Sequence, residues 1–172
     1  MSDVSKRNAF IRSIAKNVYD DVPRLVFADW LDDHDEPELA ELICLQIELE
    51  PMRDQYEIPR AKELHDRENQ LLRTGIWRNE MPEEWQDWQA CLSLDCRRGF
   101  PDRLRCPTRS FVEFGADVRQ RFPTIRRVVI HCLNGWGERL AEDEGLQNLT
   151  ELELACWYAD EDMQALTSSF AL

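Results

Sequence analysis

The feature that most constrains the fold is an apolar pattern that recurs every 24 residues near the end of the chain. Two sets of four apolar residues share one internal spacing: Phe122, Ile125, Val128 and Ile130, then Leu146, Leu149, Leu152 and Leu154. A repeat of this length buries its apolar side only by stacking against neighbouring repeats. The pattern therefore predicts a short solenoid in which successive strands form a small parallel sheet. Leu104 stands 24 positions before Val128, so the arginine-rich segment around it is the first, degenerate repeat.

Side chains alternate between the two faces of a strand, so the repeat also predicts which residues face outward. With Val128 and Ile130 facing inward, Arg127, Val129 and His131 face outward from the middle strand. The expected rows across the three strands are Arg103–Arg127–Glu151 and Arg105–Val129–Glu153, with Arg127 next to Glu151. The charged residues of these rows, together with the outward-facing His131, are the expected partner-binding residues: Arg103, Arg105, Arg127, His131, Glu151 and Glu153.

The N-terminal part of the chain has the 3.6-residue periodicity of helices instead. A first helix carries Phe10 and Ile14, and prolines 23, 37 and 59 stand near the starts of three more. Asp35 is the expected N-cap of the third helix, with Glu38 completing a capping box. The sequence thus predicts an α/β protein. It comprises a helical module at 1–52, a helical and tryptophan-rich linker at 53–90, and a short leucine-rich-repeat-like array at 91–172, open at its C-terminal edge.

The segment DVPRLVFADWLDDHDEPELAELICLQIE, residues 21–48, resembles the repeat-companion domain found in large paralogous sets in planctomycete bacteria. The matching residues are Pro23 to Val26 and Ala28 to Leu31, followed by an acidic turn and then by Ala40 to Gln46. Similar proteins often continue with a helical linker, an RGF strand and leucine-rich repeats. Arg98-Gly99-Phe100 and the 24-residue pattern agree with that order. The family has no assigned biochemical activity, so the resemblance implies an architecture and a bacterial source, and no reaction.

Charge is unevenly distributed along the chain, whose formal net charge is −13. Between residues 25 and 52 there are nine acids and no Lys or Arg, whereas residues 97 to 127 contain nine arginines and three acids. We expect the arginine-rich segment either to pair with the acidic N-terminal part or to dock an acidic partner. The negative net charge argues against non-specific binding of nucleic acids or anionic membranes by the whole chain.

No pattern in the sequence predicts catalysis, a metal or a cofactor. The cluster of Arg24, Asp29, Asp32, Asp33 and His34 has the residue types of a metal or acid–base site. However, His34 falls at a helix end, and we expect Arg24 and Asp29 to form a structural ion pair. The chain has no phosphate-binding or nucleophile motif. Its six cysteines include no CxxC pair and are expected to be reduced and buried.

These observations favour a non-enzymatic protein-interaction module that uses the concave face of its repeat array to bind another protein. Self-association through the open C-terminal edge is a further possibility. One alternative is a small acidic inhibitor or immunity-like subunit that masks a basic surface with its acids between Asp29 and Glu50. Another is an accessory subunit of a nucleoprotein complex that uses the Arg97–Arg127 patch. With no signal peptide and no apolar run of membrane length, we expect a cytoplasmic location without membrane contact.

Overall fold

The computed structural model describes residues 3–77, 81, 92–133, 135–146 and 149–155. The chain divides into two compact units. The first comprises Met1–Pro82 together with Cys96–Phe100, and the second comprises Glu83–Asp95 together with Pro101–Leu172. Most of the tryptophan-rich linker and the last 17 residues of the predicted array, 156–172, lie outside the described residues.

Four helices build the first unit: α1 (Asp3–Lys16), α2 (Val22–Asp32), α3 (Pro37–Leu49) and α4 (Pro59–Arg73). A 3-10 turn at Glu50–Met52 follows α3. A proline stands in the first turn of α2, α3 and α4, where its missing N–H has no helical acceptor to lose and its fixed φ suits the helix. The prolines therefore predict the starts of these helices correctly.

The predicted capping box at the start of α3 is wrong. Asp35 has a φ of +61° and lies outside the helix, and the N-cap residue is Glu36, whose side chain makes no capping bond. The Glu36 carboxylate instead accepts two hydrogen bonds from Arg7 on α1, at 2.5 and 2.6 Å. An acid that looks like a helix cap in the local sequence thus links two helices.

An aromatic cluster fills the core of the first unit. Phe27 of α2 lies 5.2 Å from Phe10 of α1 and 6.0 Å from Phe100, measured between ring centroids. Phe100 also contacts Trp77, at 5.5 Å, and both of these residues are buried. Trp30 stacks on Phe27 at 5.8 Å. Aromatic rings bury large areas, so this cluster contributes to an apolar core that is completed by the buried aliphatic side chains of α3.

Four strands form one sheet in the order β1 (Ser93–Arg97), β2 (Phe100–Pro107), β3 (Arg127–His131) and β4 (Glu151–Leu154). β2 pairs in parallel with β3, and β3 in parallel with β4. Helix α5 (Thr108–Arg121) connects β2 to β3, and α6 (Gly137–Ala141) with a 3-10 turn at Glu144–Leu146 lies between β3 and β4. The prediction of an α/β protein with a small parallel sheet is confirmed at this level.

The 24-residue interval appears directly in the register of the sheet. Leu104 is the register partner of Val128, which is in turn the partner of Leu152. The same interval recurs before the strands: the Arg126 amide donates to the Asp102 carbonyl at 3.1 Å, and the Thr150 amide donates to the Arg126 carbonyl at 2.8 Å. Equivalent positions therefore lie side by side, both in the strands and in the segments that lead into them.

The turn after β3 departs from the usual leucine-rich pattern, in which a polar Asn or Cys stands three residues after the last strand leucine. That position holds Leu133, which is fully buried. Cys132 beside it is exposed, with a φ of +63°. The buried Thr108 hydroxyl, one 24-residue interval earlier than Cys132, donates to the Cys132 carbonyl at 3.1 Å. A threonine hydroxyl therefore satisfies a backbone carbonyl in this turn.

Candidate protein-binding face

The six predicted partner-binding residues lie on β2, β3 and β4, and the register brings their rows together as expected. Arg103 is the partner of Arg127, which is the partner of Glu151. In the next outward row Arg105 is the partner of Val129, which is the partner of Glu153. Arginines thus occupy β2 and glutamates occupy β4. We call this set the charged face: Arg103, Arg105, Arg127, His131, Glu151 and Glu153.

Ion pairs on the charged face differ from the expected pairing of Arg127 with Glu151. The Arg127 guanidinium donates to the carboxylate of Asp102, with Nε to Oδ2 at 2.7 Å. Glu151 is bound instead by Arg103 from the strand beyond, at 3.2 Å. Adjacent Cα partners need not be ion partners, because long arginine side chains reach carboxylates on neighbouring strands and turns. Exposed pairs of this kind contribute at most about 1 kcal/mol each.

Val129 was expected to face outward, but it is buried, with 1% of its surface exposed. Val128 and Ile130 on the same strand are also buried, so both faces of the centre of β3 are covered. Covering on both faces is usual for parallel strands. The centre of the charged face is therefore not available to a partner, and its accessible positions are at the flanks.

The flank positions are open. About half of the Arg105 side chain is exposed, and its ion partner Asp95 is 3.8 Å away. The Glu153 side chain is exposed and that of His131 is half-buried, and neither side chain forms a hydrogen bond or ion pair with the described residues. Among the described strands β4 is at the edge of the sheet, and its apolar Leu152 and Leu154 are only half-buried. Strand β4 thus presents an acidic flank.

Several arginines of the basic segment are neutralised within their own unit. In the first unit Arg97 pairs with Glu50, and Arg98 pairs with Asp21. These pairs agree with the expectation that the arginine-rich segment pairs with the acidic N-terminal part. In the second unit, Arg109 pairs with Glu113 at 2.9 Å, in addition to the arginine pairs of the charged face. Because a phosphate would compete with these carboxylates, the paired arginines are weak candidates for nucleic-acid contacts.

The RGF motif is a tight hairpin turn between β1 and β2, and the residues that hold it belong to the first unit. Arg98 and Gly99 both have positive φ, +53° and +85°, which is the requirement of a two-residue type I′ turn. The Arg98 guanidinium donates to the Tyr19 carbonyl at 2.7 Å and to Asp21 at 3.0 Å. A Cβ on Gly99 would lie only 2.7 Å from the Cα of Ile43, so only glycine fits.

Two buried polar side chains complete this arrangement, and sequence reasoning assigned neither of them this role. Gln46 of α3 accepts from the Gly99 amide at 2.6 Å and donates to Glu68 at 2.6 Å. Arg24 of α2 donates to the carbonyls of Asp20, at 2.8 Å, and Arg98, at 3.2 Å. Both residues fall within the stretch that resembles the repeat-companion domain. The one sign of this role in the sequence is that each of these polar residues interrupts an otherwise apolar helix face.

The acidic cluster on α2 does not assemble as a site in the described residues. Arg24 is buried whereas Asp29, five positions on, is exposed, so the expected ion pair is replaced by the carbonyl contacts of Arg24. His34 stacks on Trp30 at 3.9 Å, and its Nδ1 lies 2.7 Å from the Trp30 carbonyl. Across the described ranges, no group of His, Cys, Asp and Glu side chains has the geometry to hold a metal ion.

The outer surface of α2 combines apolar and acidic residues. Val22, Leu25 and Val26 are exposed by 66%, 40% and 51%. Asp29 and Asp33 continue the same helical stripe and are also exposed. This stripe is a second surface that could contact another molecule.

Two cysteines illustrate how burial controls thiol chemistry here. Cys106 on β2 is buried as expected, and burial raises the pKa of its thiol to about 12. Cys44 was expected to be buried but is exposed on α3. Its pKa is raised by partial burial and then by the charges of Asp29 and Asp32. Both thiols are therefore less acidic than an ordinary cysteine.

Comparison with family models finds no match, and no curated protein or solved structure is significantly similar to the chain. None of the helices in the described ranges has the length and apolar character needed to cross a bilayer.

Proposed function

We propose that this chain is a non-catalytic protein-binding module and that the charged face contacts its partner. One observation carries the proposal: β2 and β4 present opposite charges in fixed rows, with Arg105 and Glu153 accessible at the flanks. Such a pattern selects partners by charge complementarity and orients them during encounter. The module would be a repeat-companion domain followed by a short leucine-rich array. The 24-residue register and the helical first unit support that assignment.

The test is capture of a partner from a bacterial lysate by the tagged full-length chain at moderate salt. We expect one stoichiometric protein, lost when Arg105→Glu reverses a flank charge. Arg109→Glu is the matched control, because Arg109 lies on α5 outside the charged face and is exposed to a similar degree. Retention of the same protein by Arg105→Glu and by Glu153→Arg would refute a role for this face.

A second candidate function is favoured by the outer stripe of α2. There an accessory or inhibitory subunit would place Leu25 and Val26 against an apolar strip of its partner, and Asp29 and Asp33 against basic residues. Reversing the two acids to lysine would then abolish capture, whereas Arg105→Glu would leave it unchanged. The two candidates therefore give opposite results with the same pair of variants.

A further inference from the structure

We propose that a cavity beside the starts of β3 and β4 binds a small molecule that carries a dianionic phosphate group. The cavity has a volume of about 540 Å³ and is lined by residues of the second unit alone. Small-molecule pockets typically have volumes of roughly 300 to 1,000 Å³. The lining residues are Arg119, Pro123, Ile125, Arg126, Leu149 and Thr150. None of them belongs to the charged face, so this site is independent of the proposed function.

The 24-residue repeat builds the cavity from equivalent positions of adjacent repeats. Arg126 directly precedes β3, and Thr150, 24 positions later, directly precedes β4. The Thr150 amide and hydroxyl both donate to the Arg126 carbonyl, at 2.8 and 3.2 Å. Arg119 comes from the last turn of α5. Two arginines from different elements therefore line one cavity, and the backbone of one of them is held by the neighbouring repeat.

The Arg126 side chain is held by uncharged acceptors. Its Nη1 donates to the carbonyl of Pro123 at 2.8 Å and to that of Ile125 at 3.2 Å. Carbonyl groups orient a guanidinium without cancelling its charge, unlike the carboxylates that pair with Arg109 and Arg127. These two hydrogen bonds therefore leave the positive charge of Arg126 in the cavity.

Arg119 experiences an excess of positive charge. Burial and then the charge of Arg126 lower the pKa of its guanidinium, and the attraction of Asp143 does not offset them. The Asp143 carboxylate also accepts the Gly145 amide at 2.6 Å. A basic residue in the last turn of a helix stabilises the helix dipole, but that role does not require a second arginine nearby. An anion that contacts both guanidinium groups would relieve their repulsion.

The lining also indicates what kind of anion fits. A phosphate monoester carries a charge of about −1.5 to −2 at neutral pH and so matches two arginines, whereas a sulfate ester carries a single charge. Pro123 and Leu149 are half-buried and add apolar surface for the body of the ligand. The net charge of −13 repels anions at long range, but at about 0.1 M salt the nearest charges dominate. The geometry thus favours a phosphate group on a small apolar body.

The experiment is calorimetric titration of the full chain with phenyl phosphate near neutral pH, in about 0.1 M sodium chloride without other phosphate. We expect a dissociation constant below about 1 mM. Phenyl sulfate, which has the same shape and one charge, should bind roughly tenfold more weakly. Inorganic phosphate, which lacks the apolar body, should also bind more weakly than phenyl phosphate.

Substitutions in the cavity locate the site. Arg119→Gln and Arg126→Gln should each weaken phenyl phosphate binding about tenfold or more, because a charged hydrogen-bond donor is lost. Arg119→Lys keeps the charge but lacks the planar fork, so its loss should be smaller. Arg109→Gln is the matched control, since it removes the same charge at the opposite end of α5. It should leave binding unchanged.

Thermal unfolding without ligand checks that each variant is folded. If Arg126→Gln is unfolded because its carbonyl bonds are lost, the two Arg119 variants decide the test. The inference would be overturned if phenyl phosphate did not bind, or if Arg109→Gln weakened binding as much as Arg119→Gln. Equal affinity for phenyl sulfate, or for inorganic phosphate, would overturn the assigned ligand class. Capture of a protein through the charged face uses other residues, so the proposed function and this inference fail separately.

Discussion

Two sets of polar residues in this molecule show opposite relations between charge and structure. Around the RGF turn, Arg24 and Gln46 are buried at 2% and 0% exposure, and each makes two hydrogen bonds to backbone groups. On the charged face, Arg105 and Glu153 are exposed and have at most one distant ion partner in the described residues. The first set determines a structure, and the second is available to a partner.

The comparison matters because both sets look alike in the sequence, as charged or amide residues in half-apolar segments. Buried polar groups cost free energy when their partners are removed, whereas exposed charges can be removed with little effect on folding. Substitutions around the RGF turn should therefore affect stability, and substitutions on the charged face should affect association. Four predictions test this contrast, beginning with the largest effect.

Gly99→Ala should destabilise the first unit most strongly, by about 3 kcal/mol or more, because a new Cβ cannot be accommodated in a tightly packed site. That Cβ would lie 2.2 Å from Ile43 Cγ1 and 2.7 Å from Ile43 Cα, at a φ of +85°. The measurement is the free energy of unfolding in urea, followed by tryptophan fluorescence.

Gly135→Ala is the matched control, because Gly135 has a similar φ of +78° but no atom within 4 Å of its would-be Cβ. It should cost only about 1 kcal/mol, the penalty of the left-handed conformation. Equal losses for the two variants would mean that the close approach to Ile43 contributes nothing.

The sequence predicted much of this fold for clear physical reasons. Pro23, Pro37 and Pro59 identify helix starts because proline fixes φ and lacks an N–H. The strand register follows from the 24-residue interval, since equivalent apolar residues such as Leu104 and Val128 must share one core. These features depend on local chemistry or on a repeated pattern, and both can be read from a single chain.

Features that depend on distant partners could not be predicted in the same way. Glu36 is bound by Arg7, which is 29 positions away, and Gln46 holds an amide 53 positions away. Val129 alternates like an outward residue, yet the sheet is covered on both faces at that point. Arg127 had two carboxylates within reach, and nothing in the sequence favoured Asp102 over Glu151.

Gln46→Ala should have the second largest effect, about 2 to 3 kcal/mol, because the buried Gly99 amide would lose its acceptor. The lost bonds run to the Gly99 amide at 2.6 Å, Glu68 at 2.6 Å and the Cys96 carbonyl at 3.3 Å. Urea unfolding again provides the measurement. Gln55→Ala, which removes an exposed bond to the Pro51 carbonyl, should change stability by less than about 0.5 kcal/mol. Similar values for both variants would contradict the assignment of Gln46 as a structural anchor.

Glu50→Gln should remove part of the acid dependence of stability. Burial would raise the Glu50 pKa, but the hydrogen bond from Arg97 and the charges of Arg97, Arg98 and Arg53 together lower it. The folded-state pKa is therefore below the unfolded one. The resulting stabilisation is complete above the ordinary value of 4.5 and is lost as the pH falls through the lowered folded-state pKa.

We therefore expect wild type and Glu50→Gln to differ in stability by about 1 to 2 kcal/mol at pH 7 and to converge as the pH falls below 4.5 and through the lowered folded-state pKa of Glu50. Thermal unfolding across that range measures the difference. Glu48→Gln, which removes an exposed pair with Arg60, should show a smaller pH dependence. A constant difference between wild type and Glu50→Gln at all pH values would show that the charge of Glu50 is not responsible.

The smallest expected effect is on the charged face, where the contrast with the RGF turn is sharpest. A double-mutant cycle with Arg103→Gln and Glu151→Gln should give a coupling energy of about 1 kcal/mol or less, because Glu151 is exposed and the pair is screened by water and salt. The cycle is measured by urea unfolding in low and high salt, and the coupling should shrink as salt is added. A salt-independent coupling above about 2 kcal/mol would mean that Arg103 is held as firmly as Arg24. In that case the charged face would be a structural feature like the RGF turn, and its charges would not be available to a partner.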